Sequence, residues 1–247
     1  MAIQSVFQRH EIKYLIHTRQ YHQILQAMEE YMEPDPYPRC HIRNVYYDTS
    51  DYRLIRASLE KPVYKEKLRL RSYGPISQED TVFLELKMKY RSVVYKRRIS
   101  LPHADAEEIM ARGIPLPQGS QIAREIDYVR RFYPHLAPGM YLSYHREAWR
   151  ERDGGEFRVT FDHDLLARTR ALTLSVPPFG TALLDEDQYL MEVKAPGAIP
   201  LWMVRTLSQL GIYKTSFSKY GIAYQHLILQ PNQGGFPHDI QPIQRVI

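Results

Sequence analysis

The segment Tyr64–Tyr73, Tyr-Lys-Glu-Lys-Leu-Arg-Leu-Arg-Ser-Tyr, limits what this chain can become more than any other stretch. Under a strand's two-residue period, Lys65, Lys67, Arg69, Arg71 and Tyr73 project to one side, and Leu68 and Leu70 to the other. At an effective dielectric near 20, two like charges about 4 Å apart cost on the order of 4 kcal/mol, so these cations need water or an anion between them. A solvated face on an open sheet would answer that need for one isolated strand. The alternation, however, returns along the chain. Residues 9–14 place Arg9, Glu11 and Lys13 together, and 81–89 set Phe83, Glu85, Lys87 and Lys89 against Val82, Leu84, Leu86 and Met88. Val94, Lys96 and Arg98 share a side of 92–101, and Arg158, Thr160 and Asp162 oppose Phe157, Val159 and Phe161. Leu190, Glu192 and Lys194 oppose Tyr189, Met191 and Val193.

With further strands at 42–49 and 140–149, the pattern amounts to about eight strands. Asp153-Gly154-Gly155 marks a hairpin. Helices are expected at 21–31 behind a Thr18 N-cap, from Asp48 or Ser50 to 57, and at 104–112, 121–132, 200–210 and 216–229. Pro34, Pro36 and Pro38 end the first helix and force an extended connection. Residues 164–187 have no assignable pattern. A closed barrel reconciles charged and apolar faces: apolar residues point outward beneath helices, and charged residues line the lumen. The expected fold is therefore α+β, an eight-stranded antiparallel β-barrel tunnel with a polar, basic lumen and covering helices. One domain spans 1–230, and 231–247, rich in Pro, Gln and Gly, form an extended or disordered tail. A dry lumen of this kind would repel itself, so water, carboxylates or an anionic ligand must fill it. The inference is a polyanion tunnel.

Composition narrows the function classes. A formal charge of +5 over 247 residues does not by itself indicate nucleic acid. Still, 19 tyrosines, many beside cations, keep a single-stranded nucleic-acid binder open as an alternative. The single cysteine, Cys40, excludes an internal disulfide and a multi-cysteine metal site and suits a reducing compartment. No apolar run approaches the roughly 20 residues of a membrane span, and the expected location is cytoplasmic. The histidines show no metal-ligand spacing and read as surface or packing residues, and Trp149 and Phe157 read as core. Glycine-rich phosphate motifs are absent, so a phosphate site here must be built from side chains.

In chain order stand Glu11-Ile-Lys13-Tyr14, Tyr46-Tyr47-Asp48-Thr49, Lys67-Leu-Arg69-Leu-Arg71-Ser-Tyr73, Glu85-Leu-Lys87 and Lys96-Arg-Arg98. There follow Tyr144-His-Arg146-Glu-Ala-Trp149, Phe157-Arg158-Val-Thr, Glu192-Val-Lys194 and Ser216-Phe-Ser218-Lys219-Tyr220. This ordered set, over about residues 7–225, resembles the polyphosphate-polymerase (VTC) domain of the triphosphate tunnel metalloenzyme, or CYTH-like, superfamily. The resemblance implies an ATP-dependent phosphotransferase of the polyphosphate kinase type, which moves the ATP γ-phosphate onto a growing inorganic polyphosphate chain in the tunnel. By motif, Lys13, Arg69, Arg71, Lys87, Arg146, Arg158 and Lys219 become phosphate ligands at the catalytic centre. Arg9, Lys67, Lys96, Arg98, Lys194 and Ser218 become substrate-binding neighbours, and Glu192 becomes the ligand of Mn²⁺ or Mg²⁺.

The implied partners are ATP or another triphosphate and inorganic polyphosphate. Nucleic acid is not expected, and any membrane coupling would come from a separate protein. Hydrolytic relatives begin with Glu-x-Glu-x-Lys, whereas here Arg9 occupies the first acidic position, which favours the polymerase branch. The alternatives are a tunnel triphosphatase acting on inorganic or nucleoside triphosphate, and a noncatalytic polyphosphate-binding protein. Read from the residues alone, Arg146 suits a structural salt bridge as well as a phosphate contact. Glu192 suits metal ligation better than simple pairing with Lys194 or another lumen cation, and Lys219 alone reads as a solvated helix position. Glu11 and Glu85 suit charge balance better than metal ligation.

Overall fold

In a computed structural model describing residues 10–91, 93–117 and 119–231, the chain runs β1 (His10–His17), α1 (Thr18–Met28), β2 (Met32–Asp48), α2 (Arg53–Leu59), β3 (Tyr64–Tyr73), β4 (Thr81–Tyr90) and β5 (Val93–Pro102). It continues α3 (His103–Arg112), α4 (Gln121–Phe132), β6 (Ala137–Glu151), β7 (Arg158–Arg168), β8 (Thr181–Ala182) and β9 (Gln188–Ala195). Then come α5 (Leu201–Gln209), β10 (Lys214–Thr215), α6 (Lys219–Tyr224) and a π-helical turn, Gln225–Leu229. Arg9 and, apart from Pro231, the expected tail lie outside the described residues.

The strands form one antiparallel sheet in the order β10-β1-β9-β7-β6-β2-β3-β4-β5, with β8 beside β7. Since β8 and β10 have two residues each, the eight long strands anticipated from the alternation are present. The ladder ends at β5 and β10 among the described residues. The sheet nevertheless curls back on itself: Lys67 of β3 reaches Ser218, just beyond β10, at 2.9 Å. Period-two registers then put the charged set on the inner face, as in Arg69 opposite Tyr46 and Glu85, and Glu192 opposite Lys13 and Thr160.

Two apolar layers cover the outside. Leu68 and Leu70 of β3 and Val82, Leu84 and Leu86 of β4 pack beneath Ala106 and Ile109 of α3 and Ile126 and Val129 of α4. Ile16 of β1, Phe161 of β7 and Val193 of β9 pack beneath Ile24 and Met28 of α1 and Met203 and Leu207 of α5. The interior itself is divided, which the alternation did not reveal. Met140, Leu142 and Tyr144 of β6 project inward and join Ile55 of α2 and Tyr220, Ala223 and Tyr224 of α6 in a third apolar cluster. The charged lumen lies beside this plug.

Several boundaries differ from expectation for local reasons. His17, not Thr18, is the N-cap residue of α1, and its backbone N–H donates to Gln20 Oε1 at 3.1 Å. The proline run belongs to β2 itself, and the register with β6 shifts between Pro34 and Arg39. Proline lacks an N–H, so such a run is tolerated where the ladder is interrupted. The β6–β7 turn has Asp153 and Gly154 both at positive φ (58° and 78°), the geometry a tight hairpin favours. The unassigned 164–187 stretch extends β7 to Arg168 and adds β8.

Candidate functional site

Two carboxylate nodes organise the cations. On the β3–β5 wall, Glu85 is 1% exposed and accepts from Arg69 Nε and Nη2 at 2.9 and 2.8 Å on one oxygen. Its other oxygen meets Lys96 Nζ at 2.8 Å and Arg98 Nε at 2.7 Å, and Arg71 Nε lies 3.7 Å from the oxygen that Arg69 holds. Burial disfavours a charged Glu85, but Arg69, Arg71 and Lys96 outweigh it and hold the carboxyl far below its usual range. Arg69 also donates to the Tyr46 hydroxyl at 2.8 Å, and Arg71 to Asn44 Oδ1 at 2.9 Å.

On the facing wall, Asp162 is fully buried and takes a bidentate pair from Arg146 at 2.6 and 2.7 Å and Lys219 Nζ at 2.5 Å. Glu192 Oε1 faces Lys219 at 3.1 Å and Lys13 at 3.4 Å, while Oε2 faces Arg146 at 3.3 Å and Lys194 at 3.6 Å. Against the cost of burial, Lys219, Lys13 and Arg146 keep Glu192 well below the ordinary carboxylate range. Lys219 owes its place to α6: Ser218 caps the helix by accepting from Gly221 N, and Tyr220 stacks on Tyr46, with ring centroids 4.5 Å apart.

Between the nodes lie lysines without such balance. Lys67 donates to Ser218 Oγ and pairs with no carboxylate among the described residues. Burial, then Lys87, Lys13 and Lys65, push its ammonium down to about 7. Lys87 is lowered too, by burial and then by Lys13 and Arg69, with Glu11 opposing. A charge that is partly desolvated and surrounded by its own sign is a place prepared for an anion.

The structure therefore brings Lys13, Lys67, Arg69, Arg71, Lys87, Lys96, Arg98, Arg146, Lys194, Ser218, Lys219 and Glu192 to one lumen. Arg158 stands apart: it follows the same inner register, opposite Lys194, but its side chain is 56% exposed at the mouth and reaches Asp35 at 3.4 Å. Asp162 was not among the residues singled out, although it shares the face of Arg158. An acid on the polar face of an alternating strand was the available signal. Tyr46 and Tyr144, which contact Arg69 and Arg71, stand in the motifs that carry the resemblance but were given no role, and Asn44, which accepts from Arg71, gave no signal.

Glu192 and Glu11 both approach Lys13, at 3.4 and 3.5 Å from neighbouring strands. Carboxylate oxygens are the donor type that a hard divalent ion takes while leaving its other positions to water and phosphate, so the donor set fits Mn²⁺ or Mg²⁺ in kind. Outside the barrel a concavity of about 740 Å³ is lined by Tyr64, Tyr90, Tyr95 and Tyr128. Arg97 there is tied to Glu125 at 2.6 Å.

The VTC domain family model matches residues 8–228. No curated protein sequence matches the chain. A Bacillus halodurans structure of a protein proposed to be an adenylate cyclase is 16% identical, with a TM-score of 0.53 over 84% of this chain and 92% of that one. A similarly described Vibrio parahaemolyticus structure is 13% identical, with a TM-score of 0.49 over 89% and 98%. The first shares the fold. No helix among the described residues is long and apolar enough to cross a membrane.

Proposed function

The chain belongs to the VTC domain family, and from that premise we propose that it is an ATP-dependent polyphosphate polymerase. The observation that carries the reading is the pair Lys67 and Lys87, lacking full carboxylate compensation between two cation-rich walls. A row of phosphates supplies negative charge along a line, as this lumen requires.

In the proposed reaction a terminal oxygen of the polyphosphate acceptor attacks the γ-phosphorus of ATP. The bond from that phosphorus to the β-bridging oxygen breaks, its electron pair leaves with ADP, and a new phosphoanhydride forms. The acceptor oxygen is already ionised, so no strong base is required. Arg69, Arg71 and Arg146 grip equatorial oxygens bidentately, and Lys13, Lys87 and Lys219 act as movable point charges. All of these but Lys87 are held by Glu85, Glu192, Asp162 or Glu11 before the substrate enters. The transfer thus depends on alignment and charge neutralisation more than covalent work by the protein. Glu192, with Glu11 beside it, would hold Mn²⁺ or Mg²⁺, which supplies further neutralisation of phosphate oxygens. Arg158 and Lys194, towards the mouth, would guide the polyanion, with Arg9, Lys96 and Arg98 as further contacts. One domain over 1–230 would suffice for this.

Glu11 favours a second reading. A partly buried carboxylate beside the phosphate lysines could align water, giving a triphosphatase. Incubation with ATP and Mn²⁺ or Mg²⁺ separates the readings. Long polyphosphate is expected, whereas orthophosphate alone identifies a hydrolase, and tight binding without turnover identifies a binding protein.

A further inference from the structure

Outside the lumen, three strands bring three histidines into one row. His41 of β2 lies opposite His145 of β6, which lies opposite His163 of β7. Successive ring centroids are 4.3 and 5.4 Å apart. Their sequence neighbours Cys40, Arg146 and Asp162 follow the inner register, so the histidines stand on the outer face. A register shift between Ser143 and His145 marks a bulge in which Asp164 takes φ 50°. Bulges re-aim side chains, and this one turns a carboxylate back onto the row. Asp164 Oδ2 lies 2.9 Å from His163 Nδ1 and 3.1 Å from His145 Nδ1.

We propose that His145, His163 and Asp164 form a binding site for a divalent transition ion of the zinc class, separate from the interior metal site. One ligand atom from each residue lies within 4.8 Å of the others. Zinc bonds of about 2.0–2.1 Å in a tetrahedron require ligand atoms roughly 3.3 Å apart; the carboxylate oxygen is within a few tenths of an ångström of that spacing from each imidazole, and rotation of the exposed rings can bring the two nitrogens, already within 4.8 Å, to it. Two imidazoles and a carboxylate select zinc, cobalt, nickel or copper over magnesium, whereas the interior offers protein oxygen alone. Side-chain exposures of 48% for His145, 28% for His163 and 62% for Asp164 leave entry from solvent and room for water as the fourth ligand. His41 packs against His145 with its ring tilted by 32° and flanks the site on the β2 side. The ion would clamp β6 to β7 beside the Arg146–Asp162 pair that faces inward.

The test is calorimetric titration of the chelator-treated full chain with Zn²⁺, paired with visible absorption of the Co²⁺ form. One equivalent of Zn²⁺ should bind, and the Co²⁺ spectrum should show nitrogen ligation at low coordination number. His145→Ala and His163→Ala should each weaken Zn²⁺ by at least about a hundredfold, the upper end of what losing a merely supporting partner costs. Asp164→Asn, which tolerates the same backbone, should also weaken it, and His163→Gln serves if the alanine variant fails to fold. Glu192→Gln should leave this binding intact. Absent Zn²⁺ binding, affinity unmoved by these outer-face variants, or loss in Glu192→Gln overturns the proposal.

Discussion

Lys67 exposes the electrostatic state of the lumen's own side chains. With its ammonium pushed from 10.5 to about 7, the folded protein gives up this proton while the unfolded chain still holds it. Between those values the unfolded state binds more protons, so ligand-free stability rises with pH there, and the full penalty is present below about 7. A phosphate beside Lys67 favours the charged form and should reverse the shift. Tripolyphosphate binding at mildly alkaline pH should therefore take up protons, read as calorimetric heats that vary with buffer ionisation enthalpy. Lys67→Met should lower the uptake, and identical uptake in both proteins would remove Lys67 from the contact. Glu85 poses the converse case. Glu85→Gln leaves Arg69, Arg71, Lys96 and Arg98 without their common anion, and a cost of about 3–5 kcal/mol is expected in denaturant unfolding. Added tripolyphosphate should recover much of it. A variant as stable as the parent would show that the node is not held together as described.

Among the elements, α2 and α6 tie the plug to the site through one residue. Buried Asp48 accepts from Leu54 N and Ile55 N at the start of α2, at 2.8 and 3.0 Å, and from the Tyr220 hydroxyl of α6 at 2.9 Å. This long-range cap matters because Tyr52, at the N-cap of α2, provides no side-chain bond. Asp48→Ala should cost about 3 kcal/mol by leaving buried donors unpaired. It should also weaken triphosphate binding, because Tyr220 adjoins Lys219. Unchanged affinity with lowered stability would separate the plug from the site. The β6–β7 hairpin was legible in Asp153-Gly154, since few other residue pairs accept two positive φ angles in succession. The proline run was not read as strand, because a ladder interrupted by a register shift has no local signature.

At the scale of the whole molecule, a ligand neutralising both walls binds the folded state alone, so it must stabilise that state by mass action. At a hundred times its Kd, tripolyphosphate should add about 2.7 kcal/mol, which at this size raises Tm by roughly 5–11 °C. Added salt should shrink the shift through screening. No shift at low salt would count against the lumen as a polyanion site. The inner face of the sheet was legible in the primary structure because a two-residue period assigns each side chain to a face wherever the strand lies. The three-histidine row was read instead as scattered surface or packing residues. Its members are 104 and 18 positions apart and meet through strand register and a bulge. Likewise, the division of the interior into plug and lumen depends on where α6 docks, and the pairing of Glu85 and Glu192 with their particular cations depends on strand register and, for Lys219, on that same helix. Periodicity is local and survives in any context, so the sequence alone determined which side chains would share a face. Distances across a curled sheet are global, so only the tertiary structure decided which of those side chains would meet.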